Sequence, residues 1–316
     1  MRAAVLDDYQ NYAQTMVSWE GLENEVEFVS FTDHLQEENA IVDRLREFEI
    51  ICAMRERTPF PGSLLEKLPN LKLLITSGMR NRGIDTEAAK SMGITVCGTP
   101  SVGAPTADLA FGLILALARQ IPQEDRNVRG GGWQQTTGIG LAGKPLGILG
   151  LGKLGSQAAK IGQAFGMEII AWSQNLTEEK CAEAGATLVS KEELLRQSDF
   201  ITIHLILSDR TRGLVGASDL ALMKPTAYLV NTSRGPIIDE EALATVLQNK
   251  GIAGAGLDVF SVEPLPSDHV FRTLENTVIT PHLGYVEQEN YKAYFAGYRA
   301  AIRGFIDGAP VNVING

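Results

Sequence analysis

Short apolar runs alternate with helix-length amphipathic segments along almost the whole chain, in two successive series. This alternation is typical of parallel α/β structure, because each parallel strand is joined to the next by a crossover connection that is usually helical. In the first series, strands are predicted over residues 3–6, 26–29, 50–54, 71–75 and 95–96. In the second series, they are predicted over residues 146–149, 168–172, 187–189, 200–205, 227–231, 254–259 and 278–280. Few polar residues interrupt these runs, so we expect both sheets to be covered on both faces.

Helices are predicted between most of these strands, and the strongest segments are residues 38–47, 85–92, 106–120, 154–165 and 286–307. Segment 106–120 is unusually apolar and lies between the two series. Segment 286–307 follows the last strand, so we expect it to return to the first series. A length of 316 residues fits two domains of ordinary size. We therefore predict one domain of residues 1–100 with 285–316, and a second of residues 101–284.

The composition excludes several classes of partner. The chain has 28 Lys and Arg against 38 Asp and Glu, and its net charge of −10 would oppose encounter with nucleic acid or an anionic membrane surface. The longest apolar run, residues 109–118, is about half of the ~20 residues that a membrane-spanning helix needs. The first residues lack the apolar core of a signal peptide. The 3 cysteines are widely spaced, which predicts no metal site or disulfide framework and a cytoplasmic location.

A glycine-rich turn links the first strand of the second series to the helix that follows. It has the pattern Gly150-x-Gly152-x-x-Gly155, and Lys153 and Leu154 fill the last two variable positions. The first glycine permits the tight turn, the second lets a pyrophosphate approach the backbone, and the third allows close packing of helix on strand. The helix N-terminus adds N–H donors and a positive dipole. The pattern predicts a dinucleotide-binding Rossmann domain, and a purely structural glycine turn is the alternative.

The residues after the next strand bear on the choice of cofactor. An acidic residue commonly stands there and bonds the hydroxyls of the adenosine ribose. This chain has Ser173, Gln174 and Asn175 instead, so no carboxylate repels a 2′-phosphate and three neutral side chains can donate to it. No arginine follows closely. We therefore expect NAD or NADP, with NADP slightly favoured.

The four histidines differ in their surroundings. His34 and His269 lie in polar segments with no strand end or glycine turn nearby, so we expect both on the surface. His204 lies near the end of an apolar strand, where the ligand crevice of such sheets opens, and both positioning and chemistry remain open. His282 follows the last predicted strand and precedes Gly284. Its side chain can face the same crevice, and from position alone catalysis and packing remain alternatives.

Two further ionisable residues stand at comparable turns, Arg234 after the fifth strand of the second series and Glu263 after the sixth. Arginine binds a carboxylate through two parallel hydrogen bonds. A carboxylate beside an imidazole favours the protonated form of the ring. With His282, these residues offer a clamp for a substrate carboxylate and a supported proton donor, which hydride transfer to a carbonyl requires.

The order of these motifs resembles that of the D-isomer-specific 2-hydroxyacid dehydrogenases over nearly the whole chain. Four motifs carry the resemblance: the glycine turn, Asn231-Thr-Ser-Arg234-Gly235, Asp258-Val-Phe-x-x-Glu263-Pro264 and Pro281-His282-Leu283-Gly284. The family includes glycerate, hydroxypyruvate, phosphoglycerate and D-lactate dehydrogenases. The resemblance implies reversible reduction of a 2-oxo acid to a D-2-hydroxy acid with NAD(P)H. It also implies a flavodoxin-like substrate domain over residues 1–100 and 285–316, and a doubly wound Rossmann domain over residues 101–284.

The resemblance also implies roles for single residues. Arg234 would bind the carboxylate and carbonyl of the substrate, His282 would transfer the proton, and Glu263 would hold the His282 ring. Asp258 would hold the nicotinamide amide. The residues placed at the cofactor are Gly150, Gly152, Lys153, Leu154, Gly155, Ser173, Gln174, Asn175, His204, Thr232 and Asp258.

The substrate loop departs from the family pattern. The resemblance places Arg55, Gly78, Met79 and Arg80 at the substrate together with Arg234. Arg80 stands where the family has a glycine, and Arg82 stands where it has an acid. The two added positive charges favour a larger or doubly charged acid, or they face solvent.

The chain is expected to form a homodimer, because helix 106–120 and the following residues 130–133 resemble the segments through which family members dimerise. Its expected partner is a small 2-oxo or 2-hydroxy acid, with no nucleic acid and no membrane. Glyoxylate or hydroxypyruvate reduction is the first hypothesis, and a phosphoglycerate dehydrogenase-like activity is the second. An NADH-sensing corepressor-like protein and an oxidase of formate or phosphite are further alternatives.

Overall fold

The structure is a computed structural model that describes residues 1–103 and 105–316. It contains two compact units. The first is Met1–Gly103 together with Glu287–Gly316, and the second consists of the described residues between these stretches, up to Val286. Each unit is a parallel β-sheet with helices packed on it, which confirms the predicted α/β class.

The sheet of the first unit has the strand order β2-β1-β3-β4-β5, and every neighbouring pair is parallel. Its strands are β1 (Arg2–Val5), β2 (Glu27–Ser30), β3 (Ile50–Ala53), β4 (Leu73–Thr76) and β5 (Thr95–Gly98). The helices that join them are α1 (Tyr12–Thr15), α2 (Glu38–Leu45), α3 (Gly62–Leu65) and α4 (Thr86–Ser91). All residues of β3 and β4 are buried, as expected for strands covered on both faces.

The sheet of the second unit has the order β12-β11-β10-β9-β6-β7-β8, again with parallel neighbours throughout. Its strands are β6 (Pro145–Leu149), β7 (Glu168–Trp172), β8 (Thr187–Leu188), β9 (Phe200–Ile203), β10 (Tyr228–Asn231), β11 (Gly254–Leu257) and β12 (Thr277–Ile279). The strand order reverses beside β6, and in open α/β sheets the crevice at such a point holds the ligand.

The helices of the second unit are α5 (Pro105–Ala118), α6 (Ile121–Arg129), α7 (Lys153–Ala164), α8 (Glu178–Glu183), α9 (Lys191–Gln197), α10 (Ala217–Leu220) and α11 (Glu240–Gln248). Helix α5 ends two residues earlier than predicted, because Gln120 takes a left-handed conformation (φ 54°) and caps α6. Most of its apolar side chains are buried inside this unit, where they pack with α7 and the sheet. Packing inside this unit therefore accounts for most of the apolar run, and the homodimer stays a prediction.

Helix α12 (Gln288–Ile306) belongs to the first unit, beside β4. A row of its aromatic side chains is almost fully buried: Tyr291, Tyr294, Phe295 and Tyr298. The Tyr298 hydroxyl donates a hydrogen bond to the carbonyl oxygen of Ala53 at the end of β3 (2.9 Å). Among the described residues, no helix combines the length and apolarity needed to cross a bilayer.

The prediction that His34 lies on the surface was wrong. Its side chain is only 8% exposed, and Nδ1 lies 2.8 Å from Oδ1 of Asp7. Asp7 follows β1 and His34 follows the neighbouring β2, so the parallel sheet brings both to one edge. The Thr58 hydroxyl donates to the other oxygen of Asp7 (2.8 Å). His269 is partly buried, and its ring accepts a hydrogen bond from the Phe271 N–H (3.3 Å).

Candidate active site

The glycine turn lies between β6 and α7, at the point where the strand order reverses. Gly150 has a φ of 102°, and a Cβ there would lie 2.7 Å from the carbonyl oxygen of His204. A Cβ at Gly155 would overlap the carbonyl oxygen of Gly150. Gly152 caps α7 without any side-chain hydrogen bond, and a Cβ there would meet no atom within 4 Å. The first N–H groups of α7, from Lys153 onward, therefore adjoin open space that an anionic group can approach closely.

Two buried polar atoms that follow the neighbouring strands β9 and β10 have no hydrogen-bond partner within the described residues: Nδ1 of His204 and Oγ1 of Thr232. His204 directly follows β9, and Thr232 directly follows β10. Burial lowers the pKa of His204 to about 4, so its ring is neutral at pH 7, and its Nε2 lies 3.0 Å from Oγ1 of Thr202. Buried polar atoms normally have partners. These two, at the same edge of the sheet as the glycine turn, are available to the polar groups of a dinucleotide.

The loop after β7 holds the three residues predicted to select the cofactor. Ser173 is partly buried, whereas Gln174 and Asn175 are exposed. The carbonyl oxygen of Ser173 accepts from the Leu176 N–H (3.1 Å), which closes a turn. This turn contains no carboxylate to repel a 2′-phosphate.

His282 and Glu263 form a hydrogen-bonded pair at the same edge of the sheet. Nδ1 of His282 lies 2.6 Å from Oε2 of Glu263, and Oε1 of Glu263 accepts from the Phe260 N–H (2.9 Å). Burial alone would raise the pKa of Glu263, but the hydrogen bond and charge of His282, together with Phe260 and Arg234, hold it below its ordinary value. Glu263 is therefore ionised at neutral pH. Nε2 of His282 takes no part in this hydrogen bond.

The backbone of His282 is in the left-handed region (φ 54°), which costs a non-glycine residue about 1–2 kcal/mol. Its N–H donates to the carbonyl oxygens of Asp258 (2.9 Å) and Thr280 (3.0 Å). The ring of Tyr285 stands edge-on to the imidazole, with centroids 5.6 Å apart. Asp258 is fully buried, and its carboxylate accepts hydrogen bonds from the turn that carries His282.

Arg234 is brought to this pair by the contact between two neighbouring loops. A Cβ at Gly235 would overlap the backbone of Phe260 and Ser261, so only glycine lets the loop after β10 lie against the loop after β11. Nη1 of Arg234 donates to the Ser233 carbonyl (2.7 Å). The guanidinium is near enough to Glu263 to lower the pKa of that carboxyl. Arg234, Glu263 and His282, which the sequence places after three successive strands, thus come together.

In the first unit, the guanidinium of Arg55, the arginine predicted to bind substrate, packs against Gly78. The backbone of Arg55 is left-handed (φ 53°), its N–H donates to Oγ of Ser77 (2.8 Å), and its Nη1 donates to the Ser77 carbonyl (3.2 Å). Gly78 has a φ of 83°, a left-handed conformation that favours glycine, and a Cβ there would displace the Arg55 guanidinium. Met79 and Arg80 are exposed.

Sequence reasoning missed Asn81, which is buried between two loops of the first unit. Its Nδ2 donates to the carbonyl of Arg55 (2.6 Å) and to Oγ1 of Thr76 (2.9 Å), and its Oδ1 accepts from the Gly83 N–H (2.8 Å). Asn81 thereby fixes the loop after β4 to the loop after β3. Its position between Arg80 and Arg82 is the only signal in the sequence, and that signal does not indicate burial.

One edge of the second sheet contains both a glycine turn suited to a dinucleotide and the imidazole of His282. A nicotinamide-dependent oxidoreductase needs these two features, a cofactor site and a group able to transfer a proton. No group of three His, Cys, Asp or Glu side chains that could hold a metal ion occurs in the part of the chain that the structure describes.

Comparison with known proteins narrows this class. Residues 111–284 match the family model for the NAD binding domain of D-isomer specific 2-hydroxyacid dehydrogenases. The chain is 41% identical to a glyoxylate reductase of Thermococcus litoralis over 79% of this chain and 78% of that protein. It is 44% identical to a glyoxylate reductase of Aeropyrum pernix over 72% and 70% of the two chains. A crystal structure of a phosphoglycerate oxidoreductase from Vibrio cholerae superposes with a TM-score of 0.92 at 36% identity, covering 98% of this chain and 100% of that one.

The chain therefore belongs to the D-isomer specific 2-hydroxyacid dehydrogenase family. It is an oxidoreductase with an NAD(P)-binding Rossmann domain, and both the resemblance stated from its motifs and the predicted fold are confirmed.

Proposed function

We propose that this protein reduces a small 2-oxo acid, such as glyoxylate or hydroxypyruvate, to the D-2-hydroxy acid, and that it also catalyses the reverse reaction. The observation that carries the proposal is the 2.6 Å hydrogen bond between Nδ1 of His282 and the ionised Glu263. The names of two relatives, both glyoxylate reductases, point to the same substrate class.

In the proposed reduction, Arg234 binds the substrate carboxylate through its fixed pair of N–H donors. His282, protonated and held by Glu263, donates the Nε2 proton to the carbonyl oxygen as negative charge develops there. Glu263 stays ionised and stabilises the imidazolium. When bound, the nicotinamide supplies the hydride that reaches the carbonyl carbon. In the reverse direction, neutral His282 accepts the hydroxyl proton.

The proposed cofactor site is the edge that contains the glycine turn. The N–H groups of Gly152, Lys153 and Leu154 would hold the pyrophosphate, and Gly150 and Gly155 shape the turn. His204 and Thr232 would give their unpartnered polar atoms to the cofactor, and Asp258 is retained as a candidate for the nicotinamide amide.

We propose a modest preference for NADP over NAD. The support is the neutral turn of Ser173, Gln174 and Asn175, where no negative charge opposes a 2′-phosphate. No arginine in this turn adds a strong attraction, so the preference is expected to be small.

The first unit is proposed to bind the substrate through Arg55, Gly78, Met79 and Arg80. One observation favours the second candidate, a phosphoglycerate dehydrogenase-like activity: Arg80 and Arg82 are both exposed on a loop that the buried Asn81 fixes. The positive charges of Arg80 and Arg82 would attract the second anionic group of such a substrate.

The decisive experiment is a panel of 2-oxo acids assayed with NADH and with NADPH by absorbance at 340 nm. The panel contains glyoxylate, hydroxypyruvate, a 2-oxo dicarboxylate and phosphohydroxypyruvate. Highest kcat/KM with the small monoacids supports the proposal, and highest kcat/KM with the doubly charged acids supports the second candidate. Binding of the reduced cofactor without turnover of any acid would refute both and favour an NADH-sensing, corepressor-like protein. Formate and phosphite, tested with NAD⁺, are expected to give no turnover.

We further propose a homodimer in the cytoplasm. Three large apolar side chains on α6 and the segment after it are strongly exposed: Ile121 (53%), Val128 (49%) and Trp133 (75%). A second subunit would cover them. Light scattering at micromolar concentration should give twice the monomer mass, and a monomer would refute the dimer. The three cysteines are free and buried, which suits a reducing compartment.

A further inference from the structure

The turn that carries His282 is wrapped around one buried carboxylate. Oδ1 of Asp258 accepts hydrogen bonds from Oγ1 of Thr280 (2.6 Å) and from the Leu283 N–H (2.7 Å), and Oδ2 accepts from the Gly284 N–H (2.8 Å). Asp258 follows β11, is fully buried, and also accepts from the His282 N–H through its backbone oxygen (2.9 Å). Asp258 thus holds four of the five residues 280–284, all except Pro281.

The left-handed backbone of His282 explains how two successive N–H groups reach the same carboxylate. In an extended chain, successive N–H groups point in opposite directions, whereas a left-handed residue turns them to one side and forms a concavity that binds anions. Here the anion is the side chain of Asp258, and the donors are Leu283 and Gly284. Three donors on one carboxylate suit its ionised, acceptor-only form. The hydrogen bonds to Asp258 thereby stabilise a conformation that a histidine rarely adopts.

Helix α5 holds the far end of the same turn. Oγ1 of Thr106, in the first turn of α5, donates to the carbonyl oxygen of Gly284 (2.7 Å). A Cβ at Gly284 would lie 3.2 Å from Oδ2 of Asp258 and 3.3 Å from Oγ1 of Thr106, so the turn is tightly enclosed by both residues. Because Thr106 and Thr280 contact the turn rather than the His282 ring, they can affect proton transfer only through the position of the ring.

We propose that Asp258, Thr280 and Thr106 are positioning residues that hold the His282 turn in its left-handed conformation, and so hold Nε2 where the proton is transferred. The inference rests on the proposed function of His282. It gives Asp258 a role that does not require contact with the nicotinamide. It also gives Thr106 and Thr280 a role in the reaction that the sequence alone does not indicate.

The first test compares Thr280→Val with Thr280→Ser. Valine keeps the shape of threonine without the hydroxyl, and serine keeps the hydroxyl. We expect Thr280→Val to lower kcat about tenfold, with KM for the 2-oxo acid and Kd for NAD(P)H changed less than about twofold, and Thr280→Ser to restore kcat. The matched control is Thr277→Val in β12, the strand that Thr280 directly follows. The Thr277 hydroxyl donates to the Phe271 and Leu274 carbonyls, so this variant should lower stability and leave kcat unchanged. Unchanged kcat in Thr280→Val would overturn the proposal.

A double-mutant cycle separates positioning from a general loss of structure. If Thr280 acts through His282, then Thr280→Val should have almost no effect on the residual rate of His282→Asn. A tenfold loss in both backgrounds would show that Thr280 acts independently of the ring. Thr106→Val should follow the same pattern with a smaller loss of about threefold, because it releases only one carbonyl of the turn.

Asp258→Asn distinguishes the two tasks proposed for that residue. If the carboxylate holds the turn, kcat falls and Kd for NAD(P)H stays within about twofold of the wild type, because asparagine sets an N–H₂ group against an N–H donor. A rise of more than about tenfold in Kd, with kcat unchanged at saturation, would assign Asp258 to the cofactor and overturn its positioning role.

A measurement that does not depend on turnover can test the positioning of His282 separately from the proposed reaction. The chain has only 4 histidines, so the imidazole NMR signals of His282 can be assigned with His282→Asn. Thr280→Val should shift or broaden these signals, and Thr280→Ser and Thr277→Val should not. If the signals change while no 2-oxo acid is reduced by the wild type, the positioning is supported and the proposed function fails. If they do not change, the positioning fails.

Discussion

Each unit of this protein contains one histidine hydrogen-bonded to one carboxylate at the carboxyl edge of its sheet, and the two pairs differ chiefly in exposure. In the first unit, His34 and Asp7 lie 2.8 Å apart with side chains 8% and 1% exposed. In the second, His282 and Glu263 lie 2.6 Å apart with side chains 19% and 31% exposed. A hydrogen-bonded imidazole is therefore not a sufficient sign of catalysis. A substrate can reach the second pair but not the first.

The hydrogen bonds around the two pairs also differ: the first pair is enclosed and the second is more open. The second oxygen of Asp7 is occupied by the Thr58 hydroxyl, which completes a closed network inside the first unit. Oε1 of Glu263 accepts a hydrogen bond from the Phe260 N–H, and the pair stands beside the Arg234 loop. Closed, buried networks fix a structure, whereas a pair with one free ring nitrogen can exchange a proton.

The comparison predicts its largest effect at the exposed pair. His282→Asn removes the proton donor and should lower kcat about 10²–10⁴-fold, the usual contribution of a positioned acid. Binding of NAD(P)H, followed by cofactor fluorescence, should change little. Turnover at the wild-type rate would remove His282 from the mechanism.

A third histidine, His204, shows how burial changes the pKa of an imidazole that has no carboxylate partner. Its pKa is about 4 in the folded protein and near 6.5 in the unfolded chain, so the unfolded state binds more protons between these pH values. Stability should fall as the pH falls from 6.5 to 4, by up to about 3 kcal/mol. His204→Gln, which cannot titrate, should lose less stability than the wild type between pH 7.5 and 4.5 when urea midpoints are compared. Equal losses would mean that His204 does not titrate in this range.

The buried pair supplies the matched control for the exposed one. His34→Asn, the same substitution as at His282, should destabilise the first unit by about 1–2 kcal/mol, because it disturbs a buried hydrogen bond to a charged group. Its kcat should stay within about threefold of the wild type. Stability is measured by urea denaturation at pH 7.5. A loss of activity as large as that of His282→Asn would break the distinction between the two pairs.

The smallest expected effect concerns the cofactor. Ser173→Asp places a negative charge where the 2′-phosphate would lie, so kcat/KM should shift toward NAD by about tenfold, or roughly 1.4 kcal/mol. Both cofactors are compared at one saturating concentration of 2-oxo acid, and Ser173→Asn is the neutral control. If the wild type already rejects NADPH, some residue outside this turn selects the cofactor.

Much of the fold follows from local patterns. Every strand predicted from an apolar run is present within a few residues of its expected bounds, because buried parallel strands need continuous apolar segments. The pattern misplaces ends: the strand that was predicted to include His204 ends at Ile203, so His204 is the first residue beyond it. Strand ends depend on hydrogen bonds to neighbouring strands, which a single segment does not reveal.

The site was predictable where the topology alone determines proximity. Arg234, Glu263 and His282 each follow a parallel strand, and parallel strands end at one edge, so their meeting required no knowledge of side-chain packing. The same reasoning was available for His34 and Asp7, which follow adjacent strands of the first sheet. The polar residues around His34 led to the prediction of an exposed side chain. Polar residues are mostly exposed, but they can be buried when they are paired, as His34 is with Asp7.

By itself, the sequence determined the α/β class, the glycine turn and the edge at which the ionisable residues gather, because these depend on periodicity and on the geometry of parallel strands. Only the tertiary structure decided which imidazole is enclosed and which is open, why glycine is favoured at position 78, and that Asp258 faces Thr280, Leu283 and Gly284. Those outcomes depend on contacts between residues 19 to 27 positions apart, such as Glu263 with His282 and Asp7 with His34. Such contacts form only when whole elements pack, so no local pattern records them.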